Sequence, residues 1–179
     1  MDKDRWIYHI IYSTKMRKTI STEITSANIA AIIDALAETA DKLEMLSKSV
    51  PAKKLSQPFG KDERSFAEDV AHLINVEARS SEMIYQALLV DEPYFADIHP
   101  ERDLGKLLRF DLLDIPDLIS YFKTRRKVLL RVLSALTEAQ WARSIREEGK
   151  KRKESVYWRA RTIVMHELDH VGDLEKKLK

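Results

Sequence analysis

Cysteine is absent from the 179-residue chain. That excludes a disulfide scaffold, an iron–sulfur site, a Cys-ligated zinc and a cysteine nucleophile. Any soft chemistry must come from histidine, a metal or a bound thiol cosubstrate. Chain breakers are scarce too, with 4 Gly and 5 Pro, and no glycine-rich phosphate loop appears. No stretch reaches the ~18 apolar residues of a membrane span, and the short apolar run within residues 1–18 is too broken for a signal peptide. The expectation is a soluble cytoplasmic protein. A net charge of +2 gives no overall field for nucleic acid. There is no internal repeat and no low-complexity tract.

What remains is 44% hydrophobic and 34% charged, the composition of long amphipathic helices with solvated outer faces. The length suits one domain, residues 1–179, with a single core. Periodicity predicts a first long helix over Ile24–Val50, with Ile29, Ile32, Ile33, Leu36, Ala40, Leu43 and Leu46 on its apolar face. Pro51 ends it, and Ala52–Arg64 reads as a loop. Ser65 and Glu68 form a capping box for a second helix that reaches about Val90, with Val70, Leu73, Val76, Met83 and Leu88 inward.

Asp91–Asp103 reads as a long connection and Leu104–Phe110 as a short accessory helix. Asp114 with Pro116 caps a third long helix, whose apolar face is Leu118, Ile119, Phe122, Val128, Leu129, Val132, Leu133 and Leu136. Thr137 and Gln140 form a second capping box before Trp141. Arg143–Glu154, around Gly149, reads as a loop or small hairpin, and Ser155 caps the last helix. The sum is an all-α four-helix bundle, its four helices antiparallel, with short accessory helices or turns and almost no strand.

Three of the five histidines carry the chemistry. His166 and His170 stand four apart on the last helix, so their rings share one face and can chelate one ion without backbone strain. Ile163 and Arg159 extend that face upward, and Leu174 and Asp173 extend it downward. His72, with Val76, Met83 and Asp69 on its face, also points inward. A lone inward histidine is usually a satisfied core residue. Three inward rings, two at chelating spacing, are better explained by a metal that takes one nitrogen from each. His9 and His99 have no helical partners and read as surface residues.

The order of these features resembles the DinB/YfiT-like family of four-helix-bundle metalloproteins. Three segments carry the likeness: Ser65–Leu73, with His72 early in a capped helix; an aromatic and basic stretch followed by Leu136–Trp141; and His166 with His170 near the end. The family often has a tryptophan just before the second helix, where this chain has Phe66. The resemblance implies that His72, His166 and His170 bind a divalent metal such as zinc, nickel or manganese. It also implies a homodimer, and relatives that act as transferases or isomerases using low-molecular-weight thiols. On that basis the expected function is a metal-dependent thiol transferase or a hydrolase acting on a small molecule. Glu167 would manage protons and Arg159 would steady an anionic cosubstrate.

Three other readings compete. His166-Glu167-Leu168-Asp169-His170 matches the zincin peptidase signature, but only residues 171–179 follow, too few for a downstream third ligand. Arg125, Arg126, Lys127 and Arg131, and the run Lys150–Lys153, are basic patches without interleaved aromatics, so nucleic-acid binding is not favoured. A non-catalytic structural metal site would need a fourth ligand, for which Asp69 or Asp173 is available.

Overall fold

The computed structural model describes residues 19–179. His9 lies outside the described residues. Four long helices dominate: α1 (Ser26–Ser49), α3 (Phe66–Leu89), α5 (Ile115–Leu133) and α7 (Val156–Lys177). Between them lie the short helices α2 (Ala52–Leu55), α4 (Lys106–Leu108) and α6 (Glu138–Trp141). A π-helical turn occupies Pro100–Gly105 and a 3-10 turn Phe110–Leu112. No described helix is long and apolar enough to cross a membrane.

The helix ends sit where cap chemistry puts them. The Ser65 side chain accepts from the Glu68 amide while Glu68 accepts from Ser65 N–H at 2.7 Å, closing the capping box. Thr137 and Gln140 repeat the device for α6. Asp114 caps α5, with Pro116 in its first turn, and Ser155 caps α7. The Arg143–Glu154 segment is a hairpin: β2 (Ser144–Glu147) pairs antiparallel with β3 (Glu154–Ser155), and Gly149 takes φ +76° at the turn. β1 (Tyr94–Phe95) joins β2 in parallel, so the connection after α3 contributes a strand where a loop is expected.

The helices are not arranged as a simple antiparallel ring. α1 packs on α5 and α7, and α3 packs on the same two, which sets α1 and α3 across a diagonal. One end of the core gathers Leu43 of α1, Phe66 and Leu73 of α3, Leu118 and Phe122 of α5, and Leu174 of α7. The other gathers Ile32 and Leu36, Met83 and Ile84, Leu129 and Leu133, and Val156 and Ala160. α3 and α5 therefore run parallel, as do α1 and α7, a correction to the all-antiparallel expectation. The sequence pattern is blind to direction, since parallel and antiparallel helices bury the same stripe. The parallel step from α3 to α5 forces the segment 90–114 to return along the bundle, and that return carries the π-helical turn past α3.

Between the two apolar ends lies one polar layer, built from Thr39, Glu77, Arg126 and Glu167, one residue from each long helix. Arg126 donates to Glu167 with both terminal nitrogens, to the Leu36 carbonyl at 2.7 Å and to Thr39 Oγ1 at 3.1 Å. Thr39 Oγ1 donates to Glu167 Oε2 at 2.7 Å. Arg126 thus leaves the surface patch to which its sequence neighbours assign it, while Val128, expected inward, is 52% exposed. Four polar residues at one height resist a vertical slip of any helix, because a slip would bury an unpaired charge.

Candidate metal centre

His72 stands in the second turn of α3, His166 stands at the middle of α7 and His170 one turn further on. Because these helices are antiparallel neighbours, the three rings meet. Ring centroids lie 5.0 Å apart for His72–His166, 4.9 Å for His72–His170 and 4.5 Å for His166–His170. One ligand nitrogen from each lies within 4.8 Å of the others, a group that could hold a single ion. The Nε2 atoms of His72 and His166 face each other at 2.9 Å.

On two of the three rings the opposite nitrogen is occupied by a carboxylate. His72 Nδ1 lies 2.5 Å from Glu101 Oε2, in the π-helical turn. His170 Nδ1 lies 3.3 Å from Asp69 Oδ1, one turn before His72 on α3. A carboxylate accepts only, so it assigns the proton to Nδ1 and leaves the Nε2 lone pair for the space between the rings. Arg64 closes the outside, 3.6 Å from Asp69 and 3.7 Å from Glu101. His99 builds the turn that holds Glu101, its Nδ1 accepting from the amides of Glu101 and Arg102.

Burial favours the neutral form of His166 and His72, the state a metal requires. Burial lowers the His166 pKa to about 4, and the neighbouring His170 and His72 push the same way. Burial also lowers His72, against the partial support of Glu101. Burial alone would raise Asp69, but the hydrogen bond and charge of His170, with Arg64, hold it below the usual carboxylate value. The donor set fits a divalent ion: three borderline-soft nitrogens, each ring half-buried, two oriented from behind by carboxylates.

Two expected residues lie elsewhere. Glu167 points into the core, where Arg126 and Thr39 hold both of its oxygens and 1% of the residue is exposed. Its neighbour in sequence faces the site and it does not, since one step along a helix turns ~100°. This removes the general base that the zincin reading needs. Arg159 pairs with Glu147 of β2 and with Glu154 of β3 at 2.6 Å, so its charge braces the hairpin against α7 instead of a cosubstrate. Three residues of the run Lys150–Lys153 are likewise committed: Lys150 to Glu147 and Glu154, Lys153 to Glu92, and Arg152 to the Trp158 ring.

A cleft of about 380 Å³ opens beside His72, lined among others by Arg64, Asn75, Glu101, Gly105 and Lys106. Of these, Asn75 carried a signal in the sequence, lying one helical turn after His72 on the same stripe. Glu101 carried none.

A profile of the DinB superfamily matches residues 6–174. The chain belongs to the DinB superfamily. A comparison with curated protein sequences finds no match. Among solved structures, the chain is similar to YfiT from Bacillus subtilis, described as a probable metal-dependent hydrolase with an unusual four-helix bundle topology. The identity is 16% and the TM-score 0.75, over 87% of this chain and 90% of that one. At that identity the likeness establishes a shared fold.

Proposed function

We propose that this DinB-superfamily protein is a metal-dependent hydrolase of a small-molecule substrate, with one divalent ion held by His72, His166 and His170. The observation that carries the reading is the doubly backed triad: three converging imidazoles, two of them with Nδ1 on a carboxylate. With Nδ1 of His72 and of His170 on carboxylates, the ring nitrogens that remain gather on one point, Nε2 of His72 lying 2.9 Å from Nε2 of His166. The description of YfiT as a probable metal-dependent hydrolase supports the same reading.

A divalent ion held by three protein ligands keeps an open position and lowers the pKa of a bound water toward neutrality. The chain's own residues do the rest. Asp69 and Glu101 fix the ring orientations and hold the Nδ1 protons. Glu101 also lines the cleft, so it is the carboxylate placed to exchange a proton with a molecule bound there, the role that the sequence assigned to Glu167. Zinc, nickel and manganese all suit the donors, and availability decides among them. Thiol transfer would use the same open position with a thiolate in place of water, so the two chemistries are separable only by substrate.

The test is to strip the protein, load it with zinc, nickel or manganese, and offer chromogenic esters, amides and phosphoesters, and separately a low-molecular-weight thiol with an electrophile. Metal-dependent hydrolysis that vanishes in His170→Ala supports the proposal. Turnover confined to the thiol arm makes the protein a transferase instead, and none in any arm makes the site non-catalytic.

A further inference from the structure

The cleft beside His72 contains a buried amide with nothing to bond. Asn75 is 3% exposed, its Oδ1 is buried without a partner, and its Nδ2 donates no hydrogen bond among the described residues. Burying an amide unpaired costs on the order of 1–3 kcal/mol, so buried amides are nearly always satisfied. Asn75 lines the cleft one turn along α3 from His72, beside the proposed metal position.

The opposite wall is built to leave room for it. Gly105 ends the π-helical turn, and a Cβ there would stand 3.1 Å from Asn75 Nδ2 and 3.5 Å from the Pro100 carbonyl. Glycine therefore lets the turn close over the amide without pressing on it.

The charges around the cleft single out one more residue. Glu68 is taken by the Ser65 capping box. Glu101 is taken by His72 and Arg64, and Asp111 by Arg109 in a two-point pair. Lys106, next to Gly105, lines the same cleft and has no ion-pair partner among the described residues. The acids are engaged and one cation is left over.

We propose that Asn75 and Lys106 form the substrate-anchoring subsite of this cleft, and that they bind an anionic oxygen group, a carboxylate or a phosphate. Asn75 donates through Nδ2–H, on the side of the amide that faces Gly105, and Lys106 supplies the charge, a charge-assisted arrangement stronger than neutral hydrogen bonds; the buried Oδ1, an acceptor, takes no part in holding the anion. Arg64 lines the same wall but is held at distance by two carboxylates. This deepens the hydrolase reading by naming the substrate class, and it rests on that reading only for what happens next to the anchor.

The experiment follows the Asn75 side-chain amide by NMR in the full-length protein, zinc-loaded and metal-stripped, during titration with acetate and with inorganic phosphate. A saturable shift is expected with at least one anion, and which one separates the carboxylate source from the phosphate source. Lys106→Met should weaken that anion's affinity at least fivefold, and Gly105→Ala, which crowds Nδ2, should also weaken it. Neither variant should alter zinc stoichiometry. Anion shifts that persist when no zinc is taken up leave the anchor standing and remove the metal reading. Zinc uptake with no saturable Asn75 shift, or with equal anion affinity in Lys106→Met, overturns the anchor and leaves the metal reading untouched.

Discussion

Glu101 Oε2 lies 2.5 Å from His72 Nδ1 across 29 positions of sequence. The contact exists because α3 and α5 run parallel. The chain must travel back along the bundle between them, and the π-helical turn on that return presents Glu101 to the outer side of the ring. Orientation of a ligand is thereby tied to the helix topology.

Glu101→Gln should weaken metal binding by roughly 10–100-fold, the usual cost of losing a carboxylate behind a ligating histidine. The side chain is 40% exposed, so the fold should survive. Competition with a chromophoric chelator measures the affinity, and circular dichroism checks that helicity is unchanged. Equal affinity in the variant would show that Glu101 plays no part in orienting His72.

Arg126→Met should destabilise the protein by about 3–5 kcal/mol, because it leaves Glu167 buried without its cation and takes from Glu77 one of its two, Arg125 remaining at 3.2 Å. Pairing it with Glu167→Leu should return part of that loss. Urea denaturation of the two variants decides it. A single variant as stable as the wild type would remove the polar layer from the account of what holds the bundle.

In metal-stripped protein, stability should fall as pH drops from about 6.5 toward 4. His166 is held near 4 in the folded state, against 6.5 for the free side chain, and His72 is lowered too. The unfolded chain therefore takes up protons first, so stability is fully present above the ordinary histidine pKa and is lost as pH falls through the folded value. Replacing His166 with Gln should flatten this part of the profile. Thermal melts across that pH window check the slope, and an unchanged slope in the variant would contradict the assignment.

The amphipathic stripes and caps made the four long helices legible to within about three residues, since Ser65, Asp114 and Ser155 mark three of their starts by side-chain chemistry alone. The three histidines were legible for the same reason: spacing on a helix fixes which face a residue joins. Helix direction was not legible, and with it the parallel pairs. Glu101 was hidden because a loop residue's position depends on where the chain must return. Glu167 and Arg126 misled in opposite ways. An acid beside a histidine reads as a proton carrier, and an arginine in a basic run reads as solvated, yet each is the other's buried partner. That pairing is long-range and leaves no local pattern.

The central claim is that one ion is held by three imidazoles, and X-ray absorption of zinc-loaded protein tests it most directly, alongside the stoichiometry of zinc uptake. One equivalent of zinc per chain is expected, with three nitrogen scatterers at about 2.0–2.1 Å showing imidazole multiple scattering. In His166→Ala tight uptake should be lost. Zinc retained at one equivalent in that variant, or a first shell without histidine, would contradict the account.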